Sequence, residues 1–435
     1  MKPSESGAPR SARWARWGTW LALAAVALSV GRFLVVLPLT YPPRPDVDFP
    51  SYHEAGRRLL AGEIDRLYDD DFKEFQNLPL VTIALAPLGA LPYDGAWHVM
   101  WWTNVAAILG ALAALLAAMR TSLPPLDARR AMLAAAVYFA FAPIMHRSLV
   151  LGQTTPLMVL LLTVFYALAS RGRSWLAGGV LGAIGLVKIP PLALVGVFLV
   201  RRRLAIVAAA SIVIGAGVLL SLALFGREPN AAYFEKVILT NAGKGLAAFN
   251  NQSLLGSLLR LLTDRGLTDW GLETPPPLVS AAYRVAVAAL LATILWTCRR
   301  LVWPRHGHPD RGTLEAELGL GVGLMLLIFP IGWLHYFQFL VVPATLLPWW
   351  WTRERMPRDG IALALLISGL VLAAGGAVRG GPYYASHDSE SWFRIAQCSR
   401  TLGALLLTSG YARALALHAA MPDVPAEPHP SRESS

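Results

Sequence analysis

Apolar residues in this chain come in long uninterrupted blocks separated by short polar stretches, the pattern of helices that are apolar all round and cross a bilayer. Blocks at about 18–38, 97–119, 131–145, 154–170, 175–187, 189–200, 204–225, 280–298, 314–332, 336–351, 360–378 and 398–418 predict about 12 transmembrane helices. A further block, Leu78 to Leu91, contains Pro79 and Pro87 and is short for a crossing, so it reads as a re-entrant or interfacial piece. Residues 174–200 are flanked by Arg171/Arg173 on one side and Arg201-Arg202-Arg203 on the other. Both clusters fall on one side only if the segment is a hairpin of two short helices with Lys188-Ile189-Pro190-Pro191 at its tip.

Composition agrees with this pattern. Of 435 residues, 55% are hydrophobic and 15% charged, against roughly 45–50% and about 25% in soluble domains. A cytosolic soluble enzyme is thereby excluded. The net charge of +11 would suggest nucleic acid in a soluble protein, but in a polytopic chain it reflects Lys and Arg held in cytoplasmic loops. With twelve spans, about 21 of the 38 Lys and Arg fall in such loops, and no nucleic-acid partner is expected. The predicted organisation is a cytoplasmic N-terminus over 1–17, an all-α polytopic membrane domain over 18–418 with an uncleaved first helix, and a disordered cytoplasmic tail over 419–435. Two large outer loops, about 39–96 and 226–279, are where function is expected. The two cysteines, Cys298 and Cys398, fall at opposite faces and predict no bridge.

The first outer loop carries Asp46-Val47-Asp48-Phe49-Pro50-Ser51-Tyr52 ahead of an amphipathic stretch, Tyr52 to Ala61, for which Ser51 is a candidate cap. That helix is expected to lie on the membrane surface. Asp48 then sits at its positive end, an arrangement suited to a general base. Two other readings stay open: a metal-binding Asp46-x-Asp48 pair, and a solvated acidic loop, which is the better reading of Asp69-Asp70-Asp71. Lys188 at the helix break is either an anion ligand or a snorkelling lysine. The twelve-span layout puts Asp48, Arg147, Gln153, Lys188, Asn250, Asn251 and His335 all at the outer face, although nearly 300 residues separate the first from the last.

Together, Asp48-Phe49 with Tyr52, Ala55, Gly62 and Tyr68, then Asn77-Leu78-Pro79-Leu80, Gly152-Gln153-Thr154, Lys188-x-x-Pro191, Asn251-Gln252-Ser253-Leu254 and Trp333-Leu334-His335-Tyr336 resemble glycosyltransferase family 87. The resemblance runs over roughly 15–350 in the family's order. Thr154-Thr155, where many relatives carry an Asn, and Phe75, where an aromatic hydroxyl is common, depart from its pattern. The resemblance implies the GT-C architecture and transfer of a hexose, mannose first, from a polyprenyl-phosphate donor to a lipid-linked or glycan acceptor at the outer face of the plasma membrane. It implies Asp48 as general base for an inverting displacement and His335 as a second active-site residue. Lys188 and Arg147 would take the donor phosphate; Gln153, Asn250 and Asn251 would bind sugar hydroxyls, with Tyr52 a further substrate contact. No metal or cofactor is expected, because the acidic clusters lack a second carboxylate partner in a distant loop. The competing readings are a transporter or flippase of lipid-linked sugars, and a GT-C enzyme using arabinose or glucose.

Overall fold

A computed structural model describes residues 24, 26–36, 40, 48–69, 75–121, 126–297, 313–353, 359–375, 381–388 and 390–420. The expectations for 1–17, Asp46, Asp70, Asp71, Cys298 and the tail beyond 420 lie outside these residues. The described chain is helical, and its extended pairing is confined to two isolated antiparallel bridges, Gly245 to Glu273 and Asn251 to Trp333.

The principal helices are α1 (Phe49–Ala61), α2 (Thr82–Gly89), α3 (Tyr93–Arg120), α4 (Ala128–Ala140), α5 (Ala142–Leu151), α6 (Thr155–Ser170), α7 (Ser174–Val187), α8 (Ala193–Val200) and α9 (Leu204–Phe225). After a long loop come α10 (Leu254–Leu262), α11 (Pro277–Thr297), α12 (Leu314–Ile328), α13 (Val341–Arg353), α14 (Gly360–Ala374) and α15 (Ser399–Ala420). The apolar blocks recur in these helices, but helix length alone does not reproduce twelve crossings. Among the described residues three helices are long and apolar enough to cross a membrane: Tyr93–Arg120, Leu204–Phe225 and Pro277–Trp296. A fourth is added if α4 and α5, bent by 49° at Phe141, form one broken span. Others, such as the 16-residue α6 and 14-residue α7, reach only about 21–24 Å. A sequence block records apolar composition and not helix continuity, and blocks are interrupted at Phe141, at Pro190 and ahead of Pro330.

Residues 174–200 fold as the hairpin. Helix α7 ends at Val187, Lys188 is extended, Pro190–Leu192 form a single 3-10 turn and α8 follows. The place of a Cβ on Gly185 is taken by the Leu192 side chain, a contact that a straight rod does not allow across seven residues. Asn77 Nδ2 donates to the Val187 carbonyl (2.9 Å), satisfying a helix end that the break leaves open.

The two ends of the bundle differ in chemistry. At one end the basic clusters are tied to the first turn of α12. Arg201 Nε bonds Glu317 Oε1 at 2.8 Å, and Arg203 pairs with the other carboxylate oxygen. Arg353 makes a two-pronged pair with Glu315 (2.9 and 3.1 Å), which also accepts from the Tyr166 hydroxyl (2.8 Å). Arg171 reaches Thr121 Oγ1 (3.2 Å) on the same side. Helices α6, α7, α8, α12 and α13 each have one terminus near these pairs, and their opposite termini bring Gln153, Lys188 and the segment from Pro330 to Tyr336 together at the other end.

Candidate active site

Asp48 occupies the N-cap position of α1, with Pro50 in the first turn. This corrects the assignment of the cap to Ser51. The Ser51 hydroxyl instead donates to the Asp48 carbonyl (2.7 Å), and the Asp48 carboxylate makes no cap bond. Helix α1 docks on α2, where Gly56 and Gly89 bring the two backbones into direct contact. The buried face of α1 carries Phe49, Tyr52 and Ala55, and Leu60 is left on its open side.

The carboxylate is spent across the bundle. Gln153 Nε2 donates to Asp48 Oδ2 at 2.7 Å. The other end of the same amide, Oε1, accepts from the Tyr52 hydroxyl and from Lys188 Nζ, both at 3.1 Å. The amide orientation follows from chemistry: an ammonium only donates and a carboxylate only accepts. Asn104 Nδ2 holds the Gln153 main-chain carbonyl at 2.9 Å. Lys188 Nζ lies 5.3 Å from the centre of the Tyr336 ring, within cation–π range.

Gly152 makes this possible locally. It closes α5 with φ +65°, and a Cβ there would stand 2.6 Å from Phe49 Cβ. Gly152→Ala is therefore expected to cost about 1–3 kcal/mol in backbone strain and to push Phe49, and Asp48 with it, off Gln153. Thermal unfolding and transfer rate measured on the same preparation check this, and an unchanged rate would contradict it.

His335 and Asn250 arrive from the far side. The 250–252 strand pairs antiparallel with 332–334 through Gln252 N to the Gly332 carbonyl (2.7 Å) and Leu334 N to the Asn250 carbonyl (2.8 Å). His335 is buried, and neither ring nitrogen has a hydrogen-bond partner among the described residues; the same holds for Asn250 Oδ1. Burial first, then the positive charges of Lys188 and Arg147, hold the His335 imidazole well below its ordinary pKa, so it is neutral. Burial pulls the Lys188 ammonium down to about 8, with the Asp48 charge opposing. Burial and the Asp48 charge push the Tyr52 phenol upward, so it remains a donor. Next to Arg147, His146 meets Arg32 of the first helix at 3.4 Å.

Asn251 differs from the other site residues. Its Nδ2 donates to the carbonyls of Leu246 (2.9 Å) and Pro330 (3.3 Å), and its Oδ1 accepts from Gly332 N (2.9 Å) and Ser253 N (3.2 Å). The side chain is fully engaged in joining the two loops. Arg260 performs a similar task, donating from one nitrogen to the carbonyls of Ala247, Ala248 and Asn251. Sequence reasoning missed Arg260 and Asn104, and named Tyr336 only as part of the Trp333–Tyr336 element. Asn104 carried a signal, being an uncharged polar group in the middle of an apolar span.

The geometry defines a polar cluster at one end of a helical bundle, in which Asp48, Gln153 and Lys188 are joined by hydrogen bonds. Comparison with known proteins makes this specific. The family model of glycosyltransferase family 87 matches residues 75–330, and the chain belongs to that family. The match is narrower than 15–350. It contains Arg147, Gln153, Lys188, Asn250 and Asn251, while Asp48, Tyr52 and His335 stand outside it and reach the site by geometry. The chain is also 34% identical over 188 residues to a polyprenol-phosphate-mannose-dependent alpha-(1-2)-phosphatidylinositol pentamannoside mannosyltransferase of Mycobacterium tuberculosis (strain CDC 1551 / Oshkosh). That similarity spans 42% of this chain and 38% of the relative.

Proposed function

We propose that the protein is a polyprenyl-phosphate-dependent hexosyltransferase, with mannose the first candidate sugar, working at the outer face of the plasma membrane on a glycolipid or glycan acceptor. The observation that carries this reading is the buried ammonium of Lys188 and the carboxylate of Asp48 held one amide apart at the end of the bundle away from the basic clusters. The positive-inside rule puts those clusters in the cytoplasm and the cluster around Asp48 outside. No nucleotide sugar is available there, and an activated sugar dissolved in the bilayer is the donor that suits such a site. The mannose-dependent relative supports the same class of donor.

In this reading Asp48 takes the proton from the acceptor hydroxyl as that oxygen attacks the anomeric carbon, and the lipid phosphate leaves on the opposite side. Bond formation to the acceptor and bond breaking to the phosphate balance in a single displacement, which inverts the configuration. Lys188, with Arg147, whose charge acts on the same His335, stabilises the charge that grows on the phosphate. His335, neutral and with both nitrogens open to a ligand among the described residues, can accept one hydrogen bond and donate another. An unmade bond at a buried polar group costs about 1–3 kcal/mol, so substrate contact there is favourable. Asn250 Oδ1, buried and without a partner among the described residues, would take a sugar hydroxyl in the same way, whereas Asn251 serves as the strut that holds the loop.

Purified protein in lipid is to be given radiolabelled polyprenyl phosphates of mannose, glucose and arabinose, and a nucleotide-linked mannose in parallel, with a membrane acceptor extract. Transfer is expected from the lipid phosphates, best from mannose, and none from the nucleotide. Transfer from the nucleotide donor, or labelled lipid crossing the bilayer with its sugar unmoved, would overturn the proposal.

A further inference from the structure

We infer that Gln153 is a positioning residue that keeps the base and the phosphate-binding cation apart. This departs from its expected use as a ligand for sugar hydroxyls, and it rests on the assignment of Asp48 and Lys188 proposed above. Both ends of the Gln153 amide are already committed. Its NH2 faces Asp48 at 2.7 Å, and its carbonyl oxygen takes two donors, Tyr52 and Lys188, at 3.1 Å each. A carbonyl oxygen with two lone pairs is then saturated, and one amide hydrogen remains.

The spacing has a chemical consequence. An ammonium and a carboxylate in direct contact in a water-poor site would bind each other and be lost to substrate, because each would satisfy the other's charge. With one primary amide between them, each keeps a neutral hydrogen-bond partner and stays charged. The remaining valences of Asp48 point to the acceptor hydroxyl, and those of Lys188 to the phosphate. When phosphate arrives at Lys188, Tyr52 still holds the amide oxygen, so the NH2 stays aimed at the base. The backbone at Gln153 is fixed independently, by Asn104 at its carbonyl and by Gln153 N donating to the Ser148 carbonyl at 2.9 Å. Replacing the side chain therefore leaves the turn between α5 and α6 in place. Among the described residues, the polar groups whose interactions reach this cluster include Tyr52 on α1 with Thr154 beside it, Tyr336 and His335 after α12, and Arg147 on α5.

Gln153→Glu and Gln153→Leu separate this role from sugar binding, because they move the alkaline limb of kcat/KM in opposite directions. Glutamate, nearly the same size, gives Lys188 a carboxylate partner, and the limb is expected to rise by about one pH unit. Leucine removes the hydrogen-bond acceptor from the ammonium, and the limb is expected to fall. In both variants kcat drops about tenfold or more, and in the leucine variant the KM values for donor and acceptor change less than threefold. A higher KM with kcat kept and the alkaline limb unmoved would mean that Gln153 binds sugar, and would overturn the inference. A uniform loss at all pH values, together with a lower thermal midpoint in both variants, would reduce it to a structural residue and overturn it equally. Failure of the wild-type protein to transfer from any lipid donor overturns instead the proposed function on which the inference stands.

Discussion

Asp48→Asn is expected to lower transfer by about 10²–10⁴-fold, the range that a positioned general base contributes, with the thermal midpoint held within a few degrees. The replacement keeps size and keeps an oxygen able to accept from Gln153 Nε2, so the start of α1 and the link to α6 survive. What is lost is the ability to take a proton. The stability side of the prediction is as specific as the rate side, since the Asp48 side chain makes no cap bond whose loss would fray the helix. Initial rates and thermal unfolding on one preparation check both. Transfer at the wild-type rate would remove Asp48 from the mechanism.

Lys188→Met is expected to lower transfer by about 10²–10³-fold, as the loss of one preorganised charge aimed at a transition-state anion does. Methionine suits a buried position over the Tyr336 ring, so the deficit is one of charge and not of folding. The same lysine is expected to set a pH dependence. Burial has lowered its pKa to about 8, the protonated form is the one proposed to bind phosphate, and its fraction falls as pH rises through that value. For the free enzyme kcat/KM should therefore decline above about pH 8, by tenfold per unit once well past it. In the donor complex the bound phosphate favours the ammonium, so the decline in kcat begins at higher pH. The methionine variant should show neither limb. A methionine variant that retains the alkaline decline would assign it to another group.

The hairpin and the gathering of Asp48, Gln153 and Lys188 were legible in the chain because their signals are local. Two arginine clusters bracket residues 174–200, a lysine and two prolines mark the break, and helix ends carry the polar residues. The family resemblance added His335, which the structure places beside Lys188 and Arg147 in electrostatic reach. What stayed illegible depends on pairings between distant parts of the chain. Asn251 looked like a sugar ligand because an Asn in an outer loop has no local mark of its partners; those partners, Pro330 and Gly332, lie some 80 residues away. Ser51 looked like a cap because it precedes the amphipathic pattern that starts at Tyr52, yet the helix begins three residues before Tyr52, at Phe49, which packs against Gly152. Gln153 was expected to bind sugar hydroxyls, and its pattern alone gave no reason to see that both ends of its amide are occupied. The extent of the spans was also beyond hydropathy, which counts apolar residues through a break that the backbone does not cross as one helix.

The anomeric configuration of the product reports directly on whether transfer is a single displacement. Asp48 is the one carboxylate, among the described residues, whose charge acts on Lys188, Tyr52 and Tyr336, and the proposed reading gives it the role of base with no second carboxylate among those residues to serve as nucleophile. Single-turnover transfer from a polyprenyl-phosphate sugar of known configuration, with the product's anomeric proton read by NMR, should show inversion. Retention of the donor's configuration would contradict a single displacement with Asp48 as base.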